Sequence, residues 1–321
     1  MMQLTLLIKF TERVRVLIEI KGVTKKYGDY TAIEKVNITV EDSSVYGIAG
    51  FNGCGKTTLL NVCAGVFKAE EGAVFLDGAD AFDNSKERKE LFYLTDDTWF
   101  PVKSSVKGSA KYYSEYFPNF DFEVFQEVCD LFGLNSNSNI KSLSKGMKKQ
   151  AGLAIAFGAS PKYLLIDETF DGLDPHKREI LRKLLLEYIN TTGASVIISS
   201  HNLADISDLC DHIAIINGKS VILNCAIEDI SQHYRRVYMT FENSINEELF
   251  KGVNYRKCEM TERTATLLIC GDVEAEIQKL ENLGAESIKT ELLTLEEVFS
   301  EETEAITDDG KIKSVFRKKK I

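Results

Sequence analysis

Short apolar runs bounded by turn residues recur along the chain as far as Gly218, and between several of them the apolar positions fall at helical spacing. Leu17-Ile18-Glu19-Ile20 reads as the first strand, with a turn at Lys25-Lys26-Tyr27-Gly28, and Ala32 to Val40 as a second strand region. Val45-Tyr46-Gly47-Ile48-Ala49, Ala73-Val74-Phe75-Leu76, Leu91-Phe92-Tyr93-Leu94, Tyr163-Leu164-Leu165-Ile166, Val196-Ile197-Ile198-Ser199-Ser200 and Ile213-Ala214-Ile215-Ile216 follow as short buried strands. Helical spacing appears in Lys56 to about Phe67, in Ala151 to Phe157 and in Lys177 to Ile189. The stretch from Trp99 to Ile140 is helical in period and rich in aromatics, and we read it as a helical insertion whose rings are core. The pattern predicts an α/β fold.

One turn in this pattern carries chemistry. Gly50-Phe51-Asn52-Gly53-Cys54-Gly55-Lys56-Thr57 matches the phosphate-loop pattern G-x-x-x-x-G-K-[ST] at every fixed position, between a predicted strand and a predicted helix. Glycines let backbone N–H groups close around a phosphate, and the helix N-terminus adds partial positive charge. Lys56 is placed to reach the β- and γ-phosphates, and the Thr57 hydroxyl to ligate Mg²⁺.

Strand ends supply the other candidates. Tyr163 to Ile166 runs into Asp167-Glu168, and carboxylates there face the ligand crevice of an open α/β sheet. Asp167 is placed to hold Mg²⁺ through water and Glu168 to orient a nucleophilic water. His201 ends the strand at Val196–Ser200, either as a donor to a γ-phosphate or as a plain polar cap. Tyr27 reads as a platform for a nucleobase or as a half-buried strand-end tyrosine.

Composition narrows the class. The 321 residues hold one large domain and a smaller one, and 44% hydrophobic with 27% charged residues is ordinary for a globular protein. A net charge of −10 argues against a nucleic-acid partner. Seven cysteines without C-x-x-C spacing predict reduced thiols and a cytoplasmic setting. No apolar run is long enough to span a bilayer, so any membrane role passes through a separate chain.

Taken together, the phosphate loop, Leu143-Ser144-Lys145-Gly146-Met147 before a helix, the strand ending Asp-Glu, the Gly172-Leu173-Asp174-Pro175 turn and the strand ending in His resemble the ATP-binding cassette of ABC transporters. The resemblance spans about Ile18 to Leu223. Ser144 to Met147 looks like the family's L-S-G-G-Q signature. With the aromatic stretch from Tyr112 to Asp121, it resembles bacterial exporter ATPases of the bacitracin-resistance and multidrug type. The resemblance implies a P-loop cassette with a mostly parallel sheet, an antiparallel β part and a helical insertion. It further implies ATP and Mg²⁺ as ligands, a separate transmembrane permease, a peripheral place on the inner face of the membrane, and a second ATP-binding subunit facing the first head to tail.

In that arrangement Tyr27 stacks on adenine, and Gly53, Gly55, Lys56, Thr57 and Thr58 cradle the phosphates, with Gly50, Asn52 and Cys54 completing the loop. Ser144 and the Gly146 N–H contact the γ-phosphate held by the other cassette. Glu168 polarises water, His201 holds it in line, and Asp174 communicates across the interface. Asp96 takes the place of the family's metal-touching glutamine, with Asp97 as the alternative register; Lys145 and Met147 replace a glycine and the glutamine of the signature.

Beyond about Cys225 the pattern changes to a small α+β appendage. Arg236–Phe241 and Ala265–Ile269 read as strands, and Asp272 caps a helix running to Leu283 with Gly284 at its end. The expected domains are an arm at 1–16, the cassette at 17–224 with its helical part at about 97–158, the appendage at 225–300, and a basic tail at 301–321. The runner-up reading is a soluble ABC-type ATPase, or an ATP-dependent switch, uncoupled from transport.

Overall fold

The computed structural model describes residues 16–84 and 86–304. The described residues divide into two compact units, the first ending at Asn224 and the second beginning at Cys225. Most of the expected N-terminal arm and of the basic tail lies outside the described residues. Val16 belongs to the first strand, however, and residues 301–304 close the last helix.

The first unit is two sheets around one helix. β1 (Val16–Tyr27), β2 (Tyr30–Glu41), β4 (Glu71–Leu76) and β5 (Ala79–Asp80) form an antiparallel sheet in the order β2-β1-β4-β5. β3 (Val45–Ala49), β6 (Leu91–Leu94), β7 (Tyr163–Asp167), β8 (Ser195–Ser200), β9 (His212–Asn217) and β10 (Ser220–Ala226) form the second, ordered β10-β9-β3-β8-β7-β6. Its five strands from β9 to β6 run parallel. Every residue of β3, β7 and β8 is buried, as expected of parallel strands covered on both faces.

Helix α1 (Lys56–Cys63) sits in the core between the sheets. Leu59 and Leu60 are wholly buried with Ile18, Ile20 and Ile38 of the antiparallel sheet and Ile48, Leu165 and Ile197 of the parallel one. Each such side chain contributes about 1.5–3 kcal/mol. This packing holds the start of α1, and with it the glycine-rich loop, at the C-terminal end of β3.

The insertion contains α2 (Val106–Ser114), started by the Ser105 side chain, and α3 (Phe122–Phe132), started by Asp121 and stopped by left-handed Gly133. Phe125 and Phe132 are core, as the aromatic pattern predicts. The other rings differ: Trp99 is 57% exposed and Tyr116 56%, and Tyr112 lies 5.4 Å from Trp99 and 5.3 Å from Tyr116. α2 fully buries its smaller residues (Val106, Ser109, Ala110) and leaves its own rings, Tyr112 and Tyr113, half-buried, while Trp99 and Tyr116 lie outside the helix.

α4 (Lys145–Ala159) begins earlier than the apolar pattern suggests, because the Ser144 hydroxyl accepts from the Met147 N–H and caps it. α5 (Pro175–Thr192) is capped by Asp174, has Pro at its start and ends at left-handed Gly193. α6 (Leu203–Ser207) follows β8.

The second unit starts with the short α7 (Ile230–His233). It then builds an antiparallel sheet from β11 (Tyr234–Thr240), β12 (Tyr255–Met260), β13 (Thr264–Cys270) and β14 (Ser287–Leu292), in the order β12-β13-β11-β14. Val237, Met239, Phe250, Leu267 and Ile269 pack against Val273 and Leu280 of α8 (Val273–Glu281), which Asp272 caps. α9 (Leu295–Glu304) opens with a reciprocal capping box: Glu297 accepts from the Thr294 N–H, and Thr294 accepts from the Glu297 N–H.

Candidate functional site

The glycine-rich loop is fixed by close approach rather than by side chains. Gly55 has φ 110°, and a Cβ there would lie 2.4 Å from Ile33 Cγ2 and 2.8 Å from the Ala32 carbonyl oxygen, so only glycine fits. Lys56 follows at the start of α1, 4% exposed. Its ammonium donates to the carbonyls of Gly50 at 2.9 Å and Phe51 at 3.3 Å and pairs with Glu168 Oε1 at 3.1 Å. A cation thus stands in the loop beside the exposed residue Thr57, which carries the next hydroxyl. Burial pushes the Cys54 thiol above its ordinary value.

The parallel register brings the partners of that loop together. Asp167 lies opposite Ser199 in the β7–β8 pairing, and the Ser199 hydroxyl donates to Asp167 Oδ1. Asp167 is 3% exposed, and burial raises its carboxyl above the usual range even though Ser199 and Thr57 both hydrogen-bond it. A buried carboxylate beside a threonine hydroxyl is a hard-oxygen donor pair, the chemistry Mg²⁺ selects, and a cation there offsets the cost of the buried charge. Thr57 and Asp167 therefore fit the metal that the loop pattern implies.

Glu168 takes φ 47°, a left-handed value unusual for a side-chain-bearing residue. Its N–H is held by the Ser199 carbonyl at 3.1 Å and hydroxyl at 3.2 Å. His201 Nδ1 stands 3.8 Å from Glu168 Oε1 and 3.2 Å from Asp171 Oδ2, and the ligand atoms of these three residues all lie within 4.8 Å of one another. Lys56, Thr57, Asp167, Glu168 and His201 thus gather at one end of the parallel sheet.

The remaining candidates have other neighbours. Tyr27 is 46% exposed at the β1–β2 turn, edge-on to Phe67 at 5.9 Å. It pairs with Tyr30, close along β2 to the Ala32 carbonyl that abuts Gly55. Gly146, in the first turn of α4, comes so near the β7–α5 turn that a Cβ would sit 2.6 Å from the Gly172 carbonyl oxygen. Asp174 accepts from the Lys177 N–H at 3.0 Å.

Asp96, the remaining metal-ligand candidate, stands between two lysines. Its Oδ1 pairs with Lys149 at 2.7 Å and its Oδ2 with Lys145 at 2.9 Å, so both oxygens face ammonium groups. Burial works to raise its carboxyl, but the hydrogen bonds from Lys149 and Lys145 prevail and hold it below the usual range. Lys149, Asp171 and Ser199 are the site-region residues that the sequence reading missed. The only local signal for Lys149 is its spacing from Lys145, which puts both lysines on one face of α4.

A family model described as ABC transporter matches residues 33–171. Among curated relatives, YhcH of Bacillus subtilis, an uncharacterized ABC transporter ATP-binding protein, is 30% identical over 68% of this chain and 73% of its own. The ABC transporter ATP-binding protein YtrB of Bacillus subtilis is 26% identical over 72% and 79% respectively. The bacitracin transport ATP-binding protein BcrA of Bacillus licheniformis is 27% identical over 71% and 75%. Import ATP-binding proteins match as well, such as MetN for methionine in Clostridioides difficile, 28% identical over 75% and 78%. A solved structure of the ATP binding subunit of an ABC transporter superposes with TM-score 0.62 at 24% identity, over 67% of this chain and 91% of that one.

Proposed function

The chain belongs to the ABC transporter ATP-binding family, and on that basis we propose that it is the ATP-hydrolysing subunit of an exporter of drugs, peptides or antibiotics. As a member it is an ATPase whose hydrolysis is coupled to transport. The observation that carries the site assignment is the meeting of Lys56 and Glu168 at 3.1 Å, the loop cation against the strand-end carboxylate.

In this reading ATP oxygens take over the Lys56 ammonium from the loop carbonyls, with backbone N–H groups from Gly53 to Thr58 around the phosphates. Thr57 and Asp167 hold Mg²⁺, and Asp96 is left out of that set because lysines occupy both of its oxygens. Bound there, the metal neutralises phosphate charge. Glu168 orients the attacking water and accepts its proton, while His201, beside it, holds water and γ-phosphate in line. Tyr27 offers an exposed ring to adenine. Positioning and charge neutralisation suffice, without a covalent enzyme intermediate.

A second copy completes the site by presenting Ser144 and Gly146 at the start of its α4, with Asp174 at the interface. Among the described residues no helix is long and apolar enough to cross a membrane; in this reading the permease is a separate chain, and the subunit sits peripherally on the inner membrane face through it. Export is favoured over import by the bacitracin-type features of the aromatic stretch and the Ser-Lys-Gly-Met signature. The test is pull-down of the permease from detergent-solubilised membranes, followed by ATP-driven uptake of the cargo into inside-out vesicles. Accumulation inside them is the outcome for export; loss of preloaded cargo reverses the direction.

A further inference from the structure

One buried charge has no part in that scheme. Lys149, on α4, is 2% exposed yet carries an ammonium. It donates to Asp96 Oδ1 at 2.7 Å, to the Glu168 carbonyl at 2.7 Å and to the Asp171 carbonyl. Its three donors meet three acceptors, which is the condition under which a buried ammonium persists. The donor comes from α4, one acceptor from the loop after β6, and two from the turn after β7.

That turn contains the left-handed Glu168, a conformation held only where the surroundings impose it. Ser199 holds the Glu168 N–H from one side. Lys149 holds its carbonyl from the other. Both peptide groups flanking Glu168 are therefore anchored, which fixes the point and direction from which its side chain leaves the turn, while Lys56 meets the carboxylate itself at 3.1 Å. Lys145 adds a second bond to Asp96 and fixes the counter-charge.

We propose that Lys149 is a positioning residue for hydrolysis, binding the turn after β7 to Asp96 so that the Glu168 carboxylate keeps its aim at the attacking water. This rests on Glu168 being the water-orienting base. Asp96 is then the anchor of that cation, and an amide at position 96 would weaken the anchor. An arginine at 149 preserves charge and donors; a methionine preserves only length.

The test compares full-length wild type with Lys149→Met, Lys149→Arg, Asp96→Asn and Glu168→Gln. It measures kcat and KM for magnesium ATP, and Kd for a non-hydrolysable ATP analogue. Lys149→Met is expected to lower kcat about 100-fold while KM and Kd stay within about threefold. Lys149→Arg is expected to recover about tenfold of that loss. A Lys149→Met protein with unchanged kcat, or one losing kcat and analogue affinity in equal proportion, overturns the proposal. Should Lys149→Met fail to fold, Asp96→Asn decides: about tenfold lower kcat at unchanged Kd supports it, and unchanged kcat overturns it. Glu168→Gln separates the two readings. If it hydrolyses at the wild-type rate, the base assignment falls and this inference with it; if it is silent while Lys149→Met retains its kcat, only this inference falls.

Discussion

The two units treat buried charge differently. In the first, Lys56, Lys149 and Asp167 are 4%, 2% and 3% exposed, all at or beside the C-terminal ends of parallel strands. In the second, the charged group buried among the described residues is Glu276, which binds the neighbouring Lys279 and the Asn254 N–H, while Arg236 and Glu297 pair half-exposed. Charges taken from water are destabilising unless each finds a partner. The first unit accepts that cost three times within one region, and the second builds its core from apolar residues of an antiparallel sheet. The contrast teaches where chemistry is to be sought: buried charge that packing alone would not select.

The largest effect belongs to the first unit. Lys56→Ala removes the loop cation and leaves Glu168 without its ion pair, so phosphate release from ATP should fall by about 10²–10³-fold. An active Lys56→Ala protein would break the contrast at its centre. Next comes the apolar core of the second unit, where Leu267 is wholly buried. Leu267→Ala should cost about 2–5 kcal/mol, seen by calorimetry as earlier melting of that unit. If kcat at temperatures below that melt falls too, the division of labour is wrong.

A smaller effect is set by pH. The Asp96 carboxyl is held below its ordinary value, so its contribution to stability is present above the ordinary aspartate pKa and is lost as pH falls through the lowered one. The melting-temperature gap between wild type and Asp96→Asn should therefore be level from neutrality to mild acid and close below about pH 4. A gap that persists in acid would mean Asp96 acts through shape rather than charge. The smallest effect is Arg236→Ala in the second unit. Its pair with Glu297 is part-exposed, and the loss should be about 0–1 kcal/mol by chemical denaturation.

Much of the site was legible because its elements are local. Gly50 to Thr57 form one turn between a strand and a helix, and Asp167-Glu168 and His201 end apolar runs, so period and turn chemistry suffice to find them. The aromatic stretch misled in part because helical period shows that a face exists without showing which neighbour covers it; α2 fully buries only its smaller residues and leaves Tyr112 and Tyr113 half-buried. The apolar pattern places α4 only from Ala151 because its first turns carry mainly lysines and a glycine rather than apolar residues, whereas the resemblance already sets Ser144 and Gly146 at its beginning.

By itself, then, the sequence determined the phosphate loop, the strand-end carboxylates, the cap of α8, and an apolar pattern sufficient for the α/β class. Only the tertiary structure decided that Ser199 binds Asp167, that His201 faces Asp171, and that Asp96 meets Lys149. The physical reason is that these partners are distant in the chain. They are joined by the order and register of β6, β7 and β8, which are set by the packing of whole faces and which no short stretch of residues encodes.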